Sequence, residues 1–359
     1  MSGKPPASNP LLVFAKACFS TPLNAVVTLV ILAVLATSVP PFLNWTVFHA
    51  VWAGDSGEAC RGVDAACWVF IRVRFGQIVF GDYPAEERWR VIATGIIAVI
   101  MLLTYLQVRV RNGLMRGVGL LFVFAIIAML LLYGGIPGLP FVPTRLWGGL
   151  MLTIVVALWT ISTALPLGLL LAFGRRSSIP IVAWLSGGFI DVMRCLPMIG
   201  LLFVAIVLFP LFAPPDLDID RLTRVLIAYT LFNAAVLAEV FRGGLQTVPK
   251  GQVEAAQSLG LHRWPIARNI VIPQTFAASL PAIMNVSVSI VKETSLVIVV
   301  GVYEFLGTIQ AGIIDPDWLV GDQVRQTAYL FVALVFWAIC FSMSRISTGI
   351  ERRNKLKQR

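Results

Sequence analysis

Residues 253–273 read VEAAQSLGLHRWPIARNIVIP, a polar, helix-prone stretch set between apolar runs. Glu254-Ala255-Ala256 is followed after three residues by Gly260 and after nine more by Ile270, and Ile272-Pro273 closes the stretch. Glutamate and alanine favour helix, Gly260 can end that helix with positive φ, and Trp264 to Ile272 can form a second short helix. A helix, a glycine corner and a helix make a compact knob. Small alanines on its exposed face permit close approach by another protein, while Trp264, Ile266 and Ile270 can pack back against the body of the chain. Such a knob suits docking better than catalysis; the plainer alternative is an ordinary connecting helix pair.

Composition sets the medium around this knob. Of 359 residues 58% are apolar and 13% charged, against about 25% charged in soluble domains, and the mean hydropathy is +0.86. The chain reads as an all-α, polytopic membrane protein. Windows long enough to cross an apolar core of roughly 20 helical residues fall at 23–43, 91–110, 118–132, 147–173, 198–212, 222–240, 276–303 and 327–346, which predicts about eight spans.

Lysine and arginine in short loops stay on the cytoplasmic side. Lys4 and Lys16, then Arg109, Arg111 and Arg116, then Arg175 and Arg176 mark alternate connections as inside. The knob carries Arg242, Lys250, Arg263 and Arg268, and the tail carries Arg352, Arg353, Lys355, Lys357 and Arg359. Both termini and the knob are therefore expected in the cytoplasm. Opposite connections hold Asp216, Asp218, Asp220, Asp315, Asp317 and Asp322. The net charge of +10 is mostly a topology signal, which leaves nucleic acid without support and suits anionic lipid. The first apolar run lacks a small-residue cleavage site before Pro40-Pro41 and is expected to stay as an anchor.

Residues 44–90 form an outer loop with Trp45, Trp52, Trp68, Trp89, Cys60 and Cys67. In an oxidising periplasm the two cysteines can form a disulfide; two free, partly buried thiols are the alternative. No histidine cluster joins them in a metal pattern. Cys18, Cys195 and Cys340 read as small apolar residues of membrane helices.

Three further motifs flank or follow the knob: Ala238-Glu239-Val240-Phe241-Arg242-Gly243-Gly244, Val248-Pro249-Lys250-Gly251-Gln252 and Lys292-Glu293-Thr294-Ser295-Leu296. With residues 253–273 they resemble the EAA-loop permeases of binding-protein-dependent ABC importers for polar amino acids, whose patterns are A-E-x-x-R-G-G, E-A-A-x3-G-x9-I-x-L-P and K-[DN]-T-S-L. Ile272 stands for the family's Leu and Glu293 for its Asp or Asn. Arg194-Cys195-Leu196-Pro197 replaces R-G-x-P and so lacks a glycine for close helix packing. The extension, with Ala65-Ala66-Cys67-Trp68, Tyr83-Pro84 and Glu87-Arg88-Trp89-Arg90, is similar to the longer permeases of general L-amino-acid importers.

This resemblance implies a three-helix extension over 1–146 with the periplasmic loop 44–90, a five-helix transport core over 147–353 with the cytoplasmic loop 245–273, and a basic tail over 354–359. It implies an inner-membrane permease whose Glu254, Ala255, Ala256, Gly260, Ile270 and Pro273 couple to a separate ATPase. The implied partners are a homologous permease, forming a homo- or heterodimer, a cytoplasmic ATPase dimer, a periplasmic amino-acid-binding protein and membrane lipid. Cofactors are expected on the partner alone, as ATP and Mg. Which amino acids are carried is left to the binding protein.

Ionisable groups within spans cost about 2.5–3.5 kcal/mol on insertion scales and face protein or water. Lys292 and Glu293 lie in such a run, with Asn285, Ser289, Thr294 and Ser295 close by. At helical spacing Asn285, Ser289 and Lys292 share a face that can line a path for a zwitterion, Lys292 meeting its carboxylate and Glu293 its ammonium. The alternative is that Lys292 snorkels and Glu293 pairs with an arginine. Asn233 and Glu239 can line the same path or hold helices together; Glu239 can pair with Arg242, and Asp191 with Arg194. Pro166, Pro273 and Pro281 are expected to kink their helices.

No G-x-x-x-x-G-K-[ST] loop is present, so the chain is not expected to be an enzyme. His49 and His262 fall on opposite sides of the membrane, and no base activates the serines. Two other classes compete with the importer permease: a stand-alone ion-coupled carrier using Lys292 and Glu293, and a scaffold that recruits an ATPase without forming a path. Internal symmetry between halves favours the carrier, and none is visible.

Overall fold

The computed structural model describes residues 10–107, 113–214, 216–217 and 219–358. Among these the only β pairing is a few isolated bridges, and the architecture is all helical. The helices are α1 (Pro10–Cys18), α2 (Pro22–Leu43), α3 (Trp68–Phe80), α4 (Arg88–Gln107), α5 (Gly113–Tyr133), α6 (Gly149–Arg175), α7 (Pro180–Cys195), α8 (Met198–Phe203), α9 (Phe209–Phe212), α10 (Arg221–Gln246), α11 (Lys250–Ser258), α12 (Arg263–Ile266), α13 (Ile272–Glu293), α14 (Phe305–Ile313) and α15 (Asp322–Gln358).

Among the described residues five helical stretches are long and apolar enough to cross a membrane: Pro22–Phe48, Gly149–Arg175, Arg221–Gln246, Arg263–Val300 and Asp322–Gly349. A sixth arises if α7 and Met198–Phe212, bent by 104° at Leu196-Pro197, make one span. The expected count of eight is not confirmed among the described residues. The second and third windows coincide with α4 and α5, whose facing ends fall at residues without described side chains; Gly117–Tyr133 of α5 is apolar. The first turn of α4 is committed elsewhere: Arg90, wholly buried, donates to the Pro140 carbonyl at 2.9 Å and meets Glu87 at 2.7 Å. Lys4, Arg109, Arg111, Asp218 and Arg359 lie outside the described residues, as do the side chains of Arg116, Arg352, Arg353, Lys355 and Lys357.

Prolines shape the spans as their missing N–H requires. Five-residue π-turns at Val204–Leu208 and Ala267–Val271 precede Pro210 and Pro273; widening the turn moves the carbonyl that a proline ring four residues on would strike. Trp264 to Ile272 is therefore not a second separate helix, because the π-turn carries α12 straight into α13. Pro166 and Pro281 lie inside α6 and α13.

The chain forms two compact units. The larger comprises residues 74–314 and 330–359 and centres on α6, α10 and α13. One apolar cluster gathers Trp147, Met151, Leu202, Tyr229 and Val297; another gathers Leu165, Ile190, Leu237, Phe241 and Phe276. Gly168 lets α6 touch α10, since a Cβ there would lie 2.9 Å from the Ala234 carbonyl oxygen. Gly244, from the A-E-x-x-R-G-G pattern, does the same for α10 and α13, 2.8 Å from the Thr275 carbonyl. Such small-residue contacts replace the hydrophobic drive that lipid does not supply between helices.

The smaller unit comprises residues 1–73 and 315–329. A disulfide joins Cys60 and Cys67, whose Cα atoms are 5.8 Å apart. The Cys67 N–H donates to Thr327 Oγ1 at 2.8 Å, and Gln323 Nε2 donates to the Val63 carbonyl at 2.6 Å. Trp52 stacks on Trp68 at 5.3 Å, and Phe70 meets Trp318 edge-on at 5.2 Å. The first part of the outer loop is thus an ordered lobe tied to Trp318 and to the first turns of α15.

Candidate functional site

The knob is a corner built by its backbone. Pro249 caps α11 and Gly260 ends it at φ +77°, in the left-handed region. The Gly260 N–H donates to the Gln257 carbonyl at 2.9 Å and the Leu261 N–H to the Ala256 carbonyl at 3.2 Å. These two bonds are the Schellman pattern, which satisfies carbonyls that a helix end leaves open. Gln274 Nε2 donates to Gln252 Oε1 at 2.6 Å and ties the corner to the start of α13.

Glu254, Ala255 and Gly260 are exposed, whereas Ile270 and Pro273 are half-buried at the root of the corner. Two expectations change here. Ala256 is buried rather than presented outward, because its place one turn before the glycine corner turns it inward. Trp264 does not pack back with Ile266: it is 68% exposed while Ile266 is buried. The outward face also shows Leu259, 81% exposed, and Leu261, 44% exposed, neither of which the spacing argument singled out.

Near the C-terminal ends of α6, α7 and α10 the chain ties a charge knot. Glu239 meets Arg242 at 2.9 Å, Arg175 at 3.2 Å and Arg194 at 3.5 Å, and Arg175 also meets Asp191 at 2.9 Å. The expected pairing of Glu239 with Arg242 is present. That of Asp191 with Arg194 is not: three residues apart on α7, the two reach across to different helices. Glu239 lies low in this knot, its side chain 17% exposed, and faces the three arginines.

The polar face of α13 is partly as expected. Asn285 and Lys292 are exposed and Ser289 half-buried, so the three share an open face. Glu293 is half-buried, and no arginine pairs with it among the described residues. Thr294 is buried, its hydroxyl donating to the Val291 carbonyl, and Ser295 donates to the Lys292 carbonyl. Asn233 is buried and donates to the Tyr229 carbonyl one turn back on the same helix. Helix α13 ends at Glu293, and Thr294–Val300 continues as a tighter 3-10 turn. The Tyr229 hydroxyl donates to the Glu293 carbonyl at 2.7 Å, at the point where that change of pitch frees an acceptor.

The opposite end of the larger unit carries Asp82, Arg145, Asp220 and Arg221 around a cavity of about 440 Å³. Asp220 caps α10 and accepts from the Thr144 hydroxyl at 2.7 Å. Close by, buried Glu304 caps α14 through the Leu306 and Gly307 N–H groups and accepts from the Thr153 hydroxyl at 3.0 Å. Burial pushes its carboxyl above the usual range, against the pull of those donors.

The comparisons decide the family. Residues 164–356, more than half the chain, match the family described as binding-protein-dependent transport system inner membrane component. The chain belongs to that family. Over 348 residues the permease is 38% identical to the inner membrane amino-acid ABC transporter permease protein YhdY of Escherichia coli (strain K12), covering 97% of this chain and 94% of that one. It is 33% identical to the glutamate/glutamine/aspartate/asparagine transport system permease protein BztC of Rhodobacter capsulatus, covering 95% and 93%. A solved chain, from a structure described as an amino acid ABC transporter with histidines, is 28% identical, covers 57% of the permease and 92% of itself, and superposes with a TM-score of 0.48. The permease is thus a transport component of an ABC importer and not a secondary carrier, and its match to both long relatives takes in most of the extension as well.

Proposed function

We propose that this permease carries amino acids inward, driven by ATP that a separate ATPase dimer hydrolyses. The observation that carries the coupling half is the Gly260 corner. It holds its shape through backbone bonds and leaves Glu254, Ala255, Leu259 and Leu261 free for another surface. Glu254, Ala255, Ala256, Gly260, Ile270 and Pro273 form the docking element, Ala256, Ile270 and Pro273 acting as its footing. The names of the long relatives support amino acids as the cargo.

The path runs beside the open face of α13. Asn285 and Ser289 offer neutral hydrogen-bonding groups, Lys292 the cation for a substrate carboxylate and Glu293 the acceptor for an ammonium group. Thr294, Ser295, Asn233 and Glu239 act behind this face, holding helices. A homologous permease faces this chain to close the path, and a periplasmic binding protein delivers cargo at the end that bears Asp82 and Asp220. Arg175, Arg194 and Arg242 gather at the opposite end with the corner, which supports an inner-membrane orientation with corner and both termini in the cytoplasm. Residues 1–146 are the added extension and 147–353 the transport core; the Cys60–Cys67 disulfide suits an oxidising periplasm. ATP and Mg belong to the partner.

The test is purification of the permease from its native membrane in mild detergent, with identification of whatever accompanies it. An ATPase that co-purifies with the native chain and is lost when Glu254 and Gly260 are replaced establishes the coupling surface. A lone, transport-competent chain overturns it. Lys292→Gln that assembles normally yet transports at the native rate removes that lysine from the path.

A further inference from the structure

An apolar groove opens where α5, α6 and the α12–α13 segment meet, at the end of the bundle that bears the corner. Val118, Leu170, Phe173 and Phe276 line it, together with Arg263 and Trp264. Its volume of about 650 Å³ lies within the roughly 300–1,000 Å³ of sites that hold small organic ligands. Leu170 and Trp264, 67% and 68% exposed, leave its side open. Arg263 is exposed and takes no part in any ion pair or side-chain hydrogen bond of the described residues.

We propose that this groove binds one anionic phospholipid, an acyl chain lying among Val118, Leu170, Phe173 and Phe276 and the phosphate pairing with Arg263. Helix α6 and the α12–α13 segment beside it are long and apolar enough to cross the bilayer, so hydrocarbon is the medium the groove meets. An unpaired guanidinium at the end of an apolar channel selects a phosphate through its planar fork. A tryptophan beside it, apolar in body with one N–H, suits the headgroup level. Basic pockets between spans on the cytoplasmic side are the recurring form of such sites. A zwitterionic headgroup brings its own cation to the phosphate and competes with Arg263, which gives selectivity for net negative lipid. The lipid would join α6 to the segment that leaves the Gly260 corner, and so steady the corner at its base. The inference rests on the membrane spans and on the cytoplasmic orientation proposed above, and on no assignment of cargo or ATPase.

The test uses the intact importer complex in phosphatidylcholine nanodiscs, doped with phosphatidylglycerol or phosphatidylcholine bearing brominated acyl chains. The Trp264 signal is the difference in emission between the native complex and Trp264→Phe. Brominated phosphatidylglycerol is expected to quench it at about fivefold lower mole fraction than brominated phosphatidylcholine, the ratio worth about 1 kcal/mol for one basic residue near the surface. Arg263→Gln should erase that preference while leaving quenching by brominated phosphatidylcholine unchanged, which also shows that the variant is folded. Arg263→Lys should keep part of it. Equal quenching by the two headgroups in the native complex reduces the groove to bulk lipid contact and overturns the proposal. Absence of quenching means that protein covers the groove and overturns it too, as does a preference that survives Arg263→Gln.

Discussion

The corner at Gly260 and the charge knot at Glu239 belong to consecutive stretches of chain and are built by opposite means. Backbone bonds hold the corner within one short segment, and its side chains Glu254, Leu259 and Leu261 face outward. Side chains from three helices make the knot, and each of its carboxylates is spent on an arginine of the same chain. A surface meant for another protein has to satisfy its own backbone and leave its side chains unspent. A junction meant to hold helices does the reverse. Substitution in the knot should therefore cost stability first, and substitution in the corner should cost partnership first.

The largest effect on stability is expected from Glu239→Gln, which leaves Arg175, Arg194 and Arg242 together with one carboxylate fewer. Removing one partner of a fully buried ion pair costs about 3–5 kcal/mol and an exposed one about 1 kcal/mol or less. The three arginine side chains are 32%, 46% and 40% exposed, so about 2 kcal/mol is the expected loss. Thermal unfolding in detergent, with a double-mutant cycle through Arg242→Gln, measures it. Additive losses would dissolve the knot into independent surface pairs.

Gly260→Val comes next. A left-handed backbone costs a β-branched residue about 1–2 kcal/mol, and no atom lies within 4 Å of the added Cβ to make it worse. Strain of that size lowers the equilibrium constant for forming the corner about tenfold. It is borne by the last turn of α11 and not by the packed spans. Amide exchange should rise in Lys250–Ser258 alone, with ATP hydrolysis uncoupled from uptake. A loss of protection spreading into α10 or α13 would make the corner part of the core and collapse the distinction.

A smaller effect probes the opposite end of the larger unit. A carboxyl whose value is raised in the fold, as burial raises that of Glu304, lends its stability below the ordinary carboxylate range. That contribution is lost as pH climbs through the raised value. Thr153→Val deletes a hydroxyl that favours the charged form, so the loss should grow with pH. Protection of α14 in the variant is expected to be about 1 kcal/mol weaker, relative to the native chain, at about pH 8 than at about pH 4. A pH-independent difference would mean that Thr153 acts only through the Phe305 N–H it also accepts.

The two regions were unequally legible in the sequence. The corner was readable because consecutive residues encode it: Gly260 can supply the left-handed backbone, and its distance from Glu254 sets the helix before it. Leu259 and Leu261 escaped notice because an exposed leucine looks like any other until the turn shows which way it points. Arg175 read only as charge that orients a loop and Arg194 only as a local partner for Asp191, since the helix ends that bring them to Glu239 are far apart in the chain. Asn233 was open to two readings because a buried amide that bonds its own helix and one that lines a path have the same letters around them. Five or six of the eight expected spans stand out among the described residues, and the hydropathy window at α4 did not show that Arg90 in its first turn is buried against Glu87 and the Pro140 carbonyl.

Leu259→Ser should change stability least and test the comparison most directly. At 81% exposure the side chain buries little in the isolated permease, and surface substitutions of this kind stay within about 0.5 kcal/mol. Its backbone N–H bonds to the Ala255 carbonyl whatever the side chain, so the corner itself should form. If the exposed leucine seats in a pocket of the ATPase, its removal takes away most of one apolar side chain's burial, about 1.5–3 kcal/mol, or more than tenfold in affinity. Titration of the purified ATPase onto the permease should show that weakening with an unfolding transition that does not move. A permease that binds its ATPase as tightly as before would shift the contact to Glu254 and Leu261. One that unfolds sooner would show that the corner, like the knot, spends its side chains on its own fold.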